Sequence, residues 1–457
     1  MEGSPPQPRG DIRAWDAVTG KLVWSFHVIP QPGEPNHDDW TGDTWQDRSG
    51  ANTWSTMVVD QERGIIFAPT GDSNHADTAP GKNLYANCLL AIDANTGKLK
   101  WFHQLIHHDV WDYDLPTPPI LVDVHRDGRT IPAVLQTGKM ALVFIFDRVT
   151  GEPLYGMEER PVKRTDDPND QSWPTQPFPL KPGPVARVSM SRNDINKMTP
   201  EIEKFCTEFW DNNHLQASGP YAQPMNNAST LTFLTGLGGP NWGPLSYNPQ
   251  LGLVFINAHN SANYQAARPL PPGGEVVAGG PARGGRGGGR GGPGGGGGRG
   301  GPGGGPGAGL LRTDAFSYKL PNGASVPCYA GPYGQLTAVD VNKGEIAWTS
   351  ALGINESLAS LGDVGLKSGT RNIGGSIATA GGLVFIGATN DRRFRAFDAK
   401  TGKELWAAEL PASGHSTPMT YLGKDGSQYV VIAASGGTAI GTGLPTSDSL
   451  VAFRLPK

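Results

Sequence analysis

One unit recurs along this chain: an apolar strand, then Ala-x-Asp, two residues, Thr-Gly-Lys, two residues and Trp. It runs from Ala14-Trp15-Asp16 through Thr19-Gly20-Lys21 to Trp24, and again from Ala91-Ile92-Asp93 through Thr96-Gly97-Lys98 to Trp101. Further copies are Ala396-Phe397-Asp398 to Trp406, the looser Ala338-Val339-Asp340 to Trp348, and a degenerate Phe146-Asp147 to Tyr155. Recurrence of one supersecondary unit marks a repeat architecture. Asp-x-x-Thr-Gly is a hairpin turn in which Asp caps backbone N–H groups and Gly takes the positive φ, while the Trp fills space between adjacent sheets. Sheets that cannot bury both faces alone stack radially, so the expected fold is an all-β propeller with about five to six blades in this chain.

Composition agrees: 65 glycines and 40 prolines favour short strands and turns over long helices. The interval between Asp147 and Asp340 must hold further strands, such as Gly252-Leu253-Val254-Phe255-Ile256-Asn257, plus excursions from the single 1–457 propeller domain. Residues 159–209 read as an irregular, Pro-rich insertion with one short helix near 194–209. Residues 271–309 are almost pure Gly with Arg283, Arg286, Arg290 and Arg299; they bury no apolar surface and are expected to be a disordered loop. Arg-Gly-Gly runs can bind single-stranded nucleic acid. A formal net charge of -4 leaves no overall basic field for it, so a small-molecule partner is expected and no nucleic acid. Cys88, Cys206 and Cys328 fit no CxxC metal spacing, and at most one pair can form. Cys206 and Cys328 flank the same long irregular region and are the expected pair. The chain shows no signal-peptide pattern and no apolar run long enough to span a bilayer.

Chemistry concentrates between His103 and Pro119, directly after a repeat, where three histidines and three aspartates accompany Trp111 and Tyr113. Loops between propeller strands are where sites are built. Two plainer readings stand beside a catalytic one. The aspartates could simply cap turns, or His103-x-x-x-His107 could ligate zinc, which needs a helix that this strand-to-loop context does not provide.

The run His107-His108-Asp109-Val110-Trp111-Asp112-Tyr113-Asp114-Leu115-Pro116 resembles a signature of the pyrroloquinoline quinone (PQQ) dehydrogenases. Within them it is similar to the membrane-bound glucose dehydrogenase-like branch. The blade repeats, Thr137-Gly138-Lys139 and the closing run His415-Ser416-Thr417-Pro418-Met419-Thr420-Tyr421 extend the resemblance along nearly the whole chain.

The resemblance implies an eight-bladed quinoprotein propeller that oxidises an aldose, glucose-like, or an alcohol. It implies Asp112 as the base that takes the substrate hydroxyl proton while hydride passes to the quinone C5. Lys139 is similar to the cation that hydrogen-bonds the quinone oxygens, and Trp54 to the indole on which the cofactor stacks. Asp72 sits where relatives carry a metal ligand, and with Asp112 and Asp114 it gives an expected carboxylate set for Ca²⁺ or Mg²⁺. Asp114 also matches an aspartate of lanthanide-using relatives, so the metal stays open. Asn241 and Trp242 resemble a cofactor-approaching motif, and Gly374-Gly375 a close backbone approach.

By the same resemblance, electrons pass to ubiquinone or a cytochrome c and the location is periplasmic. Relatives carry further blades ahead of the point matching Gly10-Asp11-Ile12-Arg13. This chain is therefore expected to be N-terminally incomplete, lacking a glutamate metal ligand, arginines to the cofactor carboxylates and a part that contacts the membrane surface. The alternative is a non-catalytic propeller scaffold, or an inactive fragment of such an enzyme. Asp112, Lys139, Trp54 and Asp72 falling in order on different repeats favours the enzyme.

Overall fold

The computed structural model describes residues 9–46, 48–73, 81–166, 172–267, 316–437 and 445–455. The repeats build antiparallel sheets in chain order. The first copy supplies the strand pair Ile12–Trp15 and Leu22–Phe26. A four-stranded sheet follows, made of Val58–Asp60, Ile65–Pro69, Cys88–Asp93 and Leu99–Gln104. Ile120–Arg126, Arg129–Thr137 and Val143–Asp147 form the next. Ser246–Asn248, Leu253–His259, Gly334–Asp340 and Glu345–Ala351 form another, then Ser376–Ala378, Leu383–Ile386, Arg393–Asp398 and Glu404–Glu409. Met419–Leu422, Gln428–Ala434 and Ser449–Arg454 come last. Each sheet pairs its strands in sequence order, the meander of a propeller blade, and the all-β expectation holds.

The turn chemistry is as the repeat implies. Asp16 Oδ1 accepts the N–H groups of Val18 (3.1 Å) and Thr19 (2.6 Å) and the Thr19 hydroxyl (2.7 Å), and Gly20 follows at φ 68°. Asp93 and Asp398 repeat the arrangement. The register slips just before these aspartates, at Ala14/Trp15, Ala91/Ile92, Ala338/Val339 and Ala396/Phe397, a bulge that bends the strand into its turn.

The aromatic of each docked unit lands on the turn of the next sheet. The Trp24 indole N–H donates to the Ala94 carbonyl (3.0 Å), Trp101 to that of Arg148 (3.1 Å) and Trp348 to that of Ala399 (3.1 Å). Tyr155 substitutes its hydroxyl, which donates to the Val341 carbonyl. In each pair the ring lies on the turn glycine. A Cβ on Gly97, Gly151, Gly344 or Gly402 would stand 2.4 to 2.8 Å from the ring, so only glycine admits the contact. Order along the chain is thereby converted into order of sheets in space.

Residues 159–209 are more regular than expected. Met157–Pro161 pairs with Thr175–Pro179, and a helix runs Pro200–Asn212, started by Pro200 and by the Thr199 hydroxyl, which accepts the Ile202 N–H (3.3 Å). This helix, the strand pair Thr230–Phe233 and Ala262–Gln265, and the hairpin Ser317–Lys319 with Ser325–Pro327 share a separate core around Ile202, Trp210, Phe233 and Phe316. The expected disulfide, Cys206–Cys328, closes it. The 271–309 loop lies outside the described residues. Among the described residues no helix is long and apolar enough to cross a membrane.

Candidate active site

Beyond Leu99–Gln104 the chain leaves its sheet and is pinned by buried side chains. His107 is committed on both ring nitrogens, Nδ1 to Gln104 Oε1 (2.7 Å) and Nε2 to Glu159 Oε1 (2.8 Å). The Gln176 amide accepts the His107 N–H and donates to its carbonyl, both at 2.8 Å. His103 Nε2 instead meets the Gly151 carbonyl (2.7 Å), so the two histidines have separate structural partners. Asp109 then closes the loop. Its carboxylate accepts the N–H groups of Trp111 (2.8 Å) and Tyr113 (2.6 Å) and the Asn87 amide (3.0 Å). Within this turn Asp112 takes φ 63°, a left-handed conformation that an aspartate tolerates at a cost and that contacts with the rest of the fold must hold.

The centre is a cluster of four carboxylates around one cation. Lys139 Nζ donates to Asp112 Oδ1 (2.9 Å) and Asp114 Oδ2 (2.7 Å), and the Asp72 N–H donates to the other Asp114 oxygen (2.6 Å). The Lys139 side chain is 7% exposed, that of Asp114 11% and that of Asp112 35%, so Asp112 is the carboxylate that faces out. Burial pushes Asp112 up to about 8, helped by Asp114 and opposed by Lys139. Burial also lifts Asp109, to about 6, with Asp114 adding to it. Asp114 is buried as well, yet the Lys139 ammonium brings it below the usual carboxylate range. Lys139 is held above its ordinary value, the Asp114 and Asp112 charges outweighing its own burial.

Two walls flank the cluster. Trp54, 42% exposed, has Lys139 Nζ 5.8 Å from its ring centre. Its ring edge packs at Gly71, where a Cβ would meet Asp114 Oδ1 at 2.5 Å and Trp54 at 3.1 Å. On the other side a Cβ on Gly236 would stand 3.2 Å from Asp112 Oδ2, and one on Gly238 2.4 Å from Lys139 Cβ. Asn241 is turned inward, its amide donating to the Leu237 carbonyl (2.8 Å) and its Oδ1 accepting the Trp242 N–H (2.7 Å). Thr117 reaches the Asn241 carbonyl (2.7 Å) and so ties this segment to the Asp112 loop. Gly374 and Gly375 lie against Gly243, whose Cβ would sit 1.8 Å from the Gly374 carbonyl.

Direct contact therefore joins Trp54, Asp72, Asp112, Asp114 and Lys139, while Asn241, Trp242, Gly374 and Gly375 form an adjoining backbone layer. Sequence reasoning gave Asp109 no role of its own, took Gly238 only as part of the motif around Asn241 and Trp242, and overlooked Gly236. The glycine spacing in Gly236-Leu237-Gly238-Gly239, like that of Gly374-Gly375, was the available signal.

The fit of a cation rests on Asp72. Its Oδ1 is buried with no hydrogen-bond partner among the described residues. Burial, then the charges of Asp109, Asp114 and Asp112, drive its carboxyl well above the ordinary value. Four carboxylates with one ammonium suit a hard cation. Among the described residues, however, no three His, Cys, Asp or Glu side chains already form a metal-ligand group, and Asp112 and Asp114 are turned onto Lys139.

Comparison with known proteins agrees. The chain is 34% identical to the quinate/shikimate dehydrogenase (quinone) of Acinetobacter baylyi, covering 94% of this chain and 52% of that protein. It is 34% identical to quinoprotein glucose dehydrogenase A of Acinetobacter calcoaceticus, covering 98% and 54%. Against the glycerol dehydrogenase large subunit of Gluconobacter thailandicus identity is 34%, covering 98% and 60%. The chain thus spans about half to three-fifths of the length of these relatives. The quinohemoprotein alcohol dehydrogenase structure from Comamonas testosteroni superposes with a TM-score of 0.57 at 24% identity, covering 93% of this chain and 52% of that one, which supports the fold. Residues 2–430 match the PQQ glucose/ethanol/alcohol dehydrogenase β-propeller domain, and the chain belongs to that family.

Proposed function

We propose that this chain carries the substrate-side part of a PQQ-dependent dehydrogenase that oxidises a sugar or alcohol. The observation that carries the reading is the buried Lys139 ammonium bridging Asp112 and Asp114 beside the half-open Trp54 face. When bound, PQQ supplies the two-electron oxidant that takes the hydride from the substrate carbon. Asp112 is the outward carboxylate and receives the hydroxyl proton; with its affinity raised to about 8 it is a stronger base than an ordinary aspartate. Lys139, held protonated between Asp112 and Asp114, would stabilise negative charge developing on the quinone oxygens. Trp54 offers a flat apolar face for a tricyclic ring. Gly236 and Gly238 keep side chains away from Asp112 and Lys139. Asp72, with its unpartnered oxygen, would hold a Ca²⁺ or other hard cation, with Asp112 as second carboxylate, and the ion would polarise the quinone carbonyl as a Lewis acid. A quinone or cytochrome acceptor and a periplasmic location belong to the same reading.

The test is to mix the purified chain with PQQ and Ca²⁺ and follow reduction of an artificial electron acceptor with glucose, quinate, glycerol or ethanol. Turnover of at least one, lost in Asp112→Asn, is expected. Absence of turnover with all four, in a chain that has bound PQQ, would refute the proposal.

A further inference from the structure

The loop that presents Asp112 is fastened at two points to the stretch of chain that the Cys206–Cys328 disulfide closes. The Tyr113 hydroxyl donates to the Leu234 carbonyl (2.7 Å), and the Trp111 indole N–H donates to the Ala222 carbonyl (3.2 Å). Both acceptors lie between the helix Pro200–Asn212 and the strand Leu253–His259. The Phe233 ring, next to Leu234, packs edge-on against Tyr329 at 5.1 Å, and Tyr329 follows Cys328 of the disulfide. Immediately beyond Leu234 come the residues that wall the site. Gly236 faces Asp112 Oδ2, Gly238 lies on Lys139, and the Gly239 N–H donates to the Lys139 carbonyl (3.0 Å).

Tyr113 is 3% exposed and stands beside Trp111 and Tyr221, with ring centres 5.9 and 6.1 Å away. The aromatic packing would survive loss of the hydroxyl. The Leu234 carbonyl would not find a substitute donor so readily, since a buried backbone acceptor left unpaired is costly.

We propose that Tyr113 is a positioning residue: through its hydroxyl on Leu234 the insertion sets how closely residues 235–239 lie over Asp112, and so how much room the reacting carbon has. The link makes the insertion a determinant of substrate size. Its catalytic consequence rests on the dehydrogenase reading above, whereas the tie itself does not.

The test uses the full chain and two variants. In Tyr113→Phe, backbone hydrogen exchange of the unliganded protein should quicken about five- to ten-fold in residues 234–239, the loss of one buried hydrogen bond, with strand Cys88–Asp93 and helix Pro200–Asn212 unchanged. In the PQQ-loaded protein the same variant should lower kcat several-fold while PQQ affinity holds. Gly236→Ala, whose added methyl would press on Asp112, should lower kcat or raise KM for the bulkiest substrate without altering exchange. Wild-type exchange at 234–239 in Tyr113→Phe, or an increase spread evenly over the chain, would overturn the tie. Unchanged kinetics in both variants would overturn the control of substrate room. A local exchange effect in a chain that turns over no substrate would leave the tie standing and sink the dehydrogenase reading instead.

Discussion

Replacing Lys139 with Met separates the electrostatic role of this residue from its bulk. Met keeps an apolar stem of similar length, but Asp112 and Asp114 lose the cation at 2.9 and 2.7 Å. Taking one partner from a buried ion pair costs about 3–5 kcal/mol while the other remains charged. Asp114 keeps the Asp72 N–H at 2.6 Å, which offsets about 1 kcal/mol. A loss of about 3 kcal/mol is expected at pH 8. The sign of its pH dependence follows from proton binding. Without the ammonium, burial lifts Asp114 above its unfolded value. The folded variant then holds a proton that the unfolded chain has released, and its stability falls as pH rises through that window. At pH 5 the carboxyl is largely neutral, so the loss should shrink by about 1–2 kcal/mol. The assay is urea unfolding of wild type and Lys139→Met at both pH values. Asp114→Asn in the variant background should recover most of the loss at pH 8. Equal losses at pH 5 and pH 8, or no recovery with Asn, would refute the reasoning.

Gly97→Val drives a branched side chain at φ 70° into the Trp24 ring and should destabilise by about 3 kcal/mol in urea. Gly20→Val, at φ 68° with no described atom within 4 Å of its Cβ, should cost clearly less. Serine at both Cys206 and Cys328 opens a loop with a sequence separation of 122 and should lower stability by about 4–5 kcal/mol by the loop-entropy relation, measured by thermal unfolding against the oxidised chain. The proposed role of Asp112 as base, with its carboxyl pushed up to about 8 by burial, predicts that kcat/KM climbs with pH and levels above that value, and that Lys139→Met moves the rise upward.

The turns were legible because Asp-x-x-Thr-Gly-Lys is a local code: Asp16, Asp93 and Asp398 bond to residues only two and three positions on. The Trp was readable as a spacer for a similar reason. Its landing place on the next turn's glycine was visible only in three dimensions. The pairing of Cys206 with Cys328 followed from where they flank the insertion. The meeting of Asp72, Asp112, Asp114 and Lys139 came through the family resemblance and not from spacing. What stayed hidden depends on contacts far apart in sequence. Gln176 clamps His107 from 69 residues away, and Tyr113 reaches Leu234 across 121. Glycines such as Gly236 also carry no chemistry that would mark them as the wall of a site. The strand pairing of Met157–Pro161 with Thr175–Pro179 was missed because prolines Pro161, Pro177 and Pro179 read as breakers, yet proline is tolerated in short strands at a sheet edge.

Calorimetric titration of the chain with PQQ, with and without Ca²⁺, tests the proposed site most directly. One molecule should bind per chain, more tightly with Ca²⁺. Affinity should fall at least about ten-fold in Trp54→Ala as stacking is lost, and Asp72→Asn should lose the Ca²⁺ effect. Absence of binding, or equal affinity in wild type and Trp54→Ala, would contradict a quinone site beside Asp112 and Lys139.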